Sequence, residues 1–120
     1  MKYMLLIHQG TTPLPGSEEW EALPDAEKHA VYGAYKALNE TAGFTGGVRM
    51  EHPDTATTVR VQDGRTLITD GPFAELKEAT GGYGFFEAED LDAAIEVASK
   101  IPAASMGGAV EIRPLTEVRW

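Results

Sequence analysis

The sequence contains no cysteine, which removes disulfide scaffolds, thiolate nucleophiles and cysteine-ligated zinc or iron-sulfur sites at a stroke. Basic residues are scarce: 10 Lys and Arg stand against 19 Asp and Glu, a formal charge of -9. A field of that sign repels phosphate backbones and anionic headgroups, so no nucleic-acid partner is expected. Long apolar runs are also missing. The stretch from Met1 to His8 is too short for a secretion signal or a membrane span, and the expected address is the cytoplasm, with no membrane partner. Neither a G-x-S-x-G elbow nor a Gly-rich phosphate loop occurs, and Gly82-Tyr83-Gly84 alone is more simply a strand with close backbone packing.

What remains is 120 residues, 42% hydrophobic and 24% charged, within the range of one folding unit spanning residues 1–120. Residues 2–8 read as a strand covered on both faces. The Gly- and Pro-rich stretch 9–16 is a loop, and Ser17 opens a short helical turn that Pro24 interrupts. From Asp25 to Ala42, Val31, Tyr35, Leu38 and Ala42 recur at helical spacing, and Gly43 serves as the C-cap. Phe44 to Met50 predicts a second strand, weakened or bulged at Gly46 and Gly47.

Thr57–Gln62 and Arg65–Thr69 flank Asp63-Gly64, which predicts a hairpin closed by a two-residue type I′ turn. Val59 then faces Ile68 and Val61 faces Thr66, while Arg60 and Leu67 share the other side. Gly82 to Ala88 is a further strand. Glu89-Asp90 start a second helix with Leu91, Ala94, Ile95 and Ala98 on one face, stopped by Pro102. A flexible 105–108 connection leads to the last strand, Ala109 to Arg113. Set apart from the hairpin, the order is β-α-β-β-α-β, which predicts an α+β fold of ferredoxin-like type with both helices on one face of an antiparallel sheet. The bare face of such a sheet predicts a homodimer, and the space it encloses predicts a pocket for a small-molecule ligand.

Candidate chemistry is sparse. Asp70-Gly71-Pro72-Phe73 follows the hairpin as a rigid turn with an aromatic peg, or as a pocket rim where Asp70 is a general base or holds a protonated partner. Glu75 and Lys77 bring both signs of charge close to it. His8 ends the first strand, where an imidazole can reach a sheet-end pocket, and His29 lies beside the apolar stripe of the first helix. His52 precedes Pro53 in a loop. No histidine pair has metal-site spacing, so neither a metal nor another cofactor is expected. Tyr83 can belong to a core, an interface or the wall of an apolar ligand site. Arg49, Arg60 and Arg113 can clamp a substrate carboxylate or form surface ion pairs.

The string Asp70-Gly71-Pro72-Phe73-Ala74-Glu75-Leu76-Lys77-Glu78, followed by Gly81-Gly82-Tyr83, resembles the DGPF-motif branch of the YCII-related proteins. The similarity extends to Lys2-Tyr3-Met4-Leu5-Leu6-Ile7, Thr55-Ala56-Thr57-Thr58-Val59-Arg60, Asp90-Leu91-Asp92-Ala93-Ala94 and Val110-Glu111-Ile112-Arg113-Pro114. The resemblance implies a dimeric α+β barrel. It also implies a small-molecule enzyme that uses a His and an Asp in an interior cleft, one branch being a dehydrochlorinase of aromatic degradation. The DGPF branch is found beside or fused to extracytoplasmic-function sigma factors, which implies the alternative of a non-catalytic sensing or interaction module. Asp70 matches the motif directly. Leu76 stands where relatives have Thr or Ser, and the helix histidine of related proteins falls near Tyr32, one turn beyond His29.

Overall fold

The computed structural model describes residues 1–73 and 80–118. Four strands, β1 (Lys2–His8), β2 (Phe44–Arg49), β5 (Thr80–Glu87) and β6 (Ala109–Pro114), form one antiparallel sheet in the order β2-β5-β1-β6. That order, with helices between the first and second and between the third and fourth strands, is the ferredoxin-like arrangement. The hairpin strands β3 (Thr57–Gln62) and β4 (Arg65–Asp70) pair only with each other, as a second, two-stranded sheet. They take the expected register, Val59 opposite Ile68, Val61 opposite Thr66 and Arg60 opposite Leu67. Asp63 and Gly64 both have positive φ, 51° and 75°, as the type I′ turn requires.

Helices α1 (Glu18–Glu21), α2 (Asp25–Glu40), α3 (Leu91–Ser99) and α4 (Pro102–Ser105) complete the chain. Three of these starts have a local cause. The Ser17 side chain accepts from the Trp20 N–H, and the Asp90 carboxylate accepts from the Ala93 N–H at 2.9 Å. At α4 the ring of Pro102 presets the first helical φ, and this helix lies where a flexible connection was expected to begin. Helix α2 ends at Glu40, before the expected Ala42, because Thr41 already leaves helical backbone angles.

The core lies between the sheet and the helices. Tyr3, Leu5, Ile7, Leu38, Phe44, Phe86, Ala94, Ile101 and Ala103 form one buried cluster. Phe44 lies over Gly84, where any Cβ would meet its ring. Strand β1 is not covered on both faces as its apolar run suggested: Tyr3, Leu5 and Ile7 are buried, whereas Met4, Leu6 and His8 on the other face are only half-buried. Period-two geometry explains this, since the helices reach only one face and the second has no layer among the described residues. A radius of gyration of 16.4 Å and extents of 53 × 40 × 19 Å describe a flat molecule, against about 14 Å expected for a compact chain of this length.

Candidate functional site

Two hollows meet at Arg49 and the 12–15 loop. The first, about 340 Å³, lies between α2, the 12–15 loop and strands β2 and β5. Its walls are mainly apolar, with Trp20, Val31, Tyr32, Leu38 and Phe44 in them, and the polar groups of Gln9, Tyr35, Asn39 and Arg49 reach it. Trp20 and Tyr32 stack edge to face at 5.4 Å, which stiffens one wall. The second is an open cleft of about 720 Å³ between the 9–17 loop and residues 49–53, with Thr80 and Gly81 on its floor. Arg49, Gln9, Gly81 and the 12–15 loop border both spaces.

At the same end of the sheet, on the face without helices, three strands bring His8, Thr80 and Glu111 together. His8 Nε2 lies 3.0 Å from Glu111 Oε1, and Nδ1 lies 3.1 Å from Thr80 Oγ1. An ionised carboxylate only accepts, so Nε2 carries the proton and donates to Glu111. In the neutral ring Nδ1 is then the acceptor for the Thr80 hydroxyl. A bulge makes this contact: Ile7 pairs with Gly82 but His8 pairs with Thr80, so Gly81 is the extra residue. In unbroken register His8 would oppose a glycine with nothing to offer; the bulge turns a hydroxyl toward it. The His8 side chain is 17% exposed and that of Glu111 40%. Arg113 Nε donates to Glu111 Oε2 at 2.7 Å. This guanidinium first, and then His8, holds the Glu111 carboxyl below its usual range.

The profile of the YCII-related domain matches residues 1–119. The chain belongs to the YCII-related domain family. Over 76 residues this YCII-related chain is 40% identical to an uncharacterized protein of Rhizobium meliloti (strain 1021). That stretch is 62% of this chain and spans only 61% of the relative. Among solved structures it is similar, at a TM-score of 0.47 and 16% identity, to 5-chloro-2-hydroxyhydroquinone dehydrochlorinase (TftG) from Burkholderia phenoliruptrix AC1100 in complex with 2,5-dihydroxybenzoquinone. That superposition covers 97% of this chain and 94% of the other.

The residues singled out from the sequence of this YCII-related protein fall in four places. Arg49 lines the first hollow; Tyr83 also borders it, but it pairs with Leu6 and its ring stands 6.2 Å from that of Phe85, on the face without helices. His8 stands in the hydrogen-bond chain with Thr80 and Glu111. His29 is exposed on α2. Asp70 and Phe73 lie at the hairpin base: Asp70 ends β4 opposite Thr57 and is exposed, and the turn after it is closed by the Gly71 N–H donating to Ala56 O at 2.7 Å. Phe73 is 72% exposed, with the Arg60 guanidinium 4.7 Å from its ring centre. The aromatic peg therefore has no core to enter; a cation–π contact replaces it. Glu75 and Lys77 lie outside the described residues. No hydrogen bond or ion pair links Asp70 to His8 or His29 among the described residues.

His52 has a local task, accepting from the Asp54 N–H at the start of a 3-10 turn. No cluster of three His, Asp or Glu side chains able to hold a metal ion is found among the described residues, and no described helix is long and apolar enough to cross a membrane. The sequence reading missed Thr80 and Glu111. Glu111 had a signal, because the alternation Val110-Glu111-Ile112-Arg113 puts it on one face with Arg113. Thr80 had none, since its meeting with His8 depends on a bulge. Chemically, hydroxyl, imidazole and carboxylate in series can accept a proton at one end and stabilise the resulting imidazolium at the other.

Proposed function

We propose that this protein is a small-molecule enzyme of the proton-transfer kind, an isomerase, lyase or dehalogenase-like activity, with His8 as its acid-base group. The observation that supports this reading is the Thr80-His8-Glu111 chain, its two contacts at 3.1 and 3.0 Å, beside a cleft that reaches Thr80. Nδ1 takes a proton from the substrate, directly or through the Thr80 hydroxyl. Glu111 accepts from Nε2–H throughout and offsets the positive charge that develops on the ring. Asp70 keeps a place in the reading as a carboxylate on an exposed turn, and the DGPF branch is the finer family assignment that the motif at Asp70–Phe73 favours.

A homodimer is the second part of the proposal. Met4, Leu6 and Phe85 are half-buried and Val48 is 46% exposed on the sheet face that no helix covers, and a second sheet would bury them. Phe85→Glu is expected to halve the mass measured by sedimentation, and an unchanged mass would sink the sheet-to-sheet arrangement.

The catalytic reading is tested in 2H2O with a panel of small organic acids, phenols and ketones, following carbon-bound protons by NMR. Wild type should exchange or convert at least one compound, and His8→Asn should do so about a hundredfold or more slowly. Saturable binding with no turnover of any compound would mark the protein as a sensing module instead.

A further inference from the structure

Among the described residues Arg49 is the one lining cation of the 340 Å³ hollow, in a protein whose net charge of -9 would by itself keep anions away. Within the described residues its guanidinium is in no ion pair with a carboxylate. Thr12, which also lines this hollow, has a buried Oγ1 with no hydrogen-bond partner among the described residues. A buried hydroxyl is ordinarily satisfied by a partner. A third polar group faces the same place. The Tyr35 hydroxyl is pushed above its ordinary pKa by burial, partly offset by a hydrogen bond with Gln9 and by the charge of Arg49, so at neutral pH it is a phenol able to donate.

We propose that this hollow is a binding site for an apolar carboxylic acid with a cyclic body. The carboxylate lies between Arg49 and the unpartnered hydroxyl of Thr12, and the ring lies among Trp20, Tyr32 and Phe44. A single cation suits a monoanion; a phosphate would call for a second positive group. The rigid, edge-to-face pair Trp20 and Tyr32 suits a flat or cyclic body over a long flexible chain. Arg49 also borders the open cleft, so an acid anchored there is held at the junction that leads to Thr80. The inference rests on the catalytic reading above only in taking the bound acid as substrate; the binding itself stands apart from it.

The test is 15N-NMR titration of the full chain with phenylacetate and cyclohexanecarboxylate, with benzyl alcohol as the neutral control. The Trp20 indole signal, told from that of Trp120 by Trp120→Phe, is the readout. Both acids should shift it saturably. Arg49→Gln, at an exposed position, should weaken both acids about tenfold or more, and Thr12→Val about threefold or more, with the weak binding of benzyl alcohol unchanged in each. Benzyl alcohol binding as tightly as phenylacetate would overturn the proposal. So would acid affinities unchanged by Arg49→Gln, or no saturation at about 10 mM, well past the millimolar range of a small fragment. Binding without turnover in the 2H2O experiment defeats the catalytic reading alone, and turnover of a neutral compound without acid binding defeats this one alone.

Discussion

The four-stranded sheet and the β3-β4 hairpin are made from the same kind of residue, and they differ in what covers them. Leu5 and Ile7 in β1 are 0% and 6% exposed, whereas Val59, Val61 and Ile68 in the hairpin are 60, 70 and 69% exposed. Strand sequence alone does not distinguish the two. The sheet draws its stability from apolar side chains pressed under α2 and α3, worth about 1.5–3 kcal/mol for each large side chain removed from water. The hairpin is specified locally, by the Asp63-Gly64 turn and its cross-strand pairs, whose individual contributions are a few tenths of a kcal/mol to about 1. Its apolar side chains are presented to the surroundings.

Substitutions can sharpen or break that contrast. Leu5→Ala leaves a cavity at a site with no access to solvent and should lower stability by about 2–5 kcal/mol in chemical denaturation. Gly84→Ala drives a methyl into the Phe44 ring and should cost about 1–3 kcal/mol, because Phe44 is itself packed in the core. Gly64→Ala meets no neighbour but must hold a positive φ of 75°, and about 1 kcal/mol is expected from backbone preference alone. Val61→Ala in an isolated chain should change stability by less than about 0.5 kcal/mol in chemical denaturation. A loss at Val61 as large as that at Leu5 would mean that a second molecule buries the hairpin, and the contrast would vanish.

The pH response of Glu111 offers a finer comparison between the two ends of the sheet. Its carboxyl is held below the ordinary value by Arg113 and then His8, so the folded state favours the ionised form. The stabilisation is fully present above the unfolded pKa of about 4.3 and disappears as pH falls through the lower folded value. Melting temperatures of wild type should therefore drop more steeply than those of Glu111→Gln between pH 5 and the acid limit, both approaching parallel behaviour near neutrality. Identical acid slopes would show that the Glu111 contacts with Arg113 and His8 do not persist in solution.

Much of the fold was legible because the signals are local. The stripe of Val31, Tyr35 and Leu38, the acidic cap at Asp90 and the Asp-Gly turn each act within a few residues, and each produced the expected element. Helix α4 escaped notice because four residues are too few to show a period. The candidate site was less legible. His8 could be picked out by its place at the end of an apolar strand, and Arg49 and Tyr83 by residue type. Their surroundings could not be read, since Thr80 is 72 residues from His8 and Glu111 is 103 away.

By itself, the sequence determined the strands and every helix but α4, the register of the hairpin and the absence of thiol chemistry, because periodicity, turn residues and composition act at short range. Only the tertiary structure decided that β1 is covered on one face, that a bulge at Gly81 hands Thr80 to His8, and that Arg49 and Thr12 line one hollow. Those facts depend on how strands far apart in the chain come into register, and a shift of one residue sends a side chain to the opposite face of the sheet.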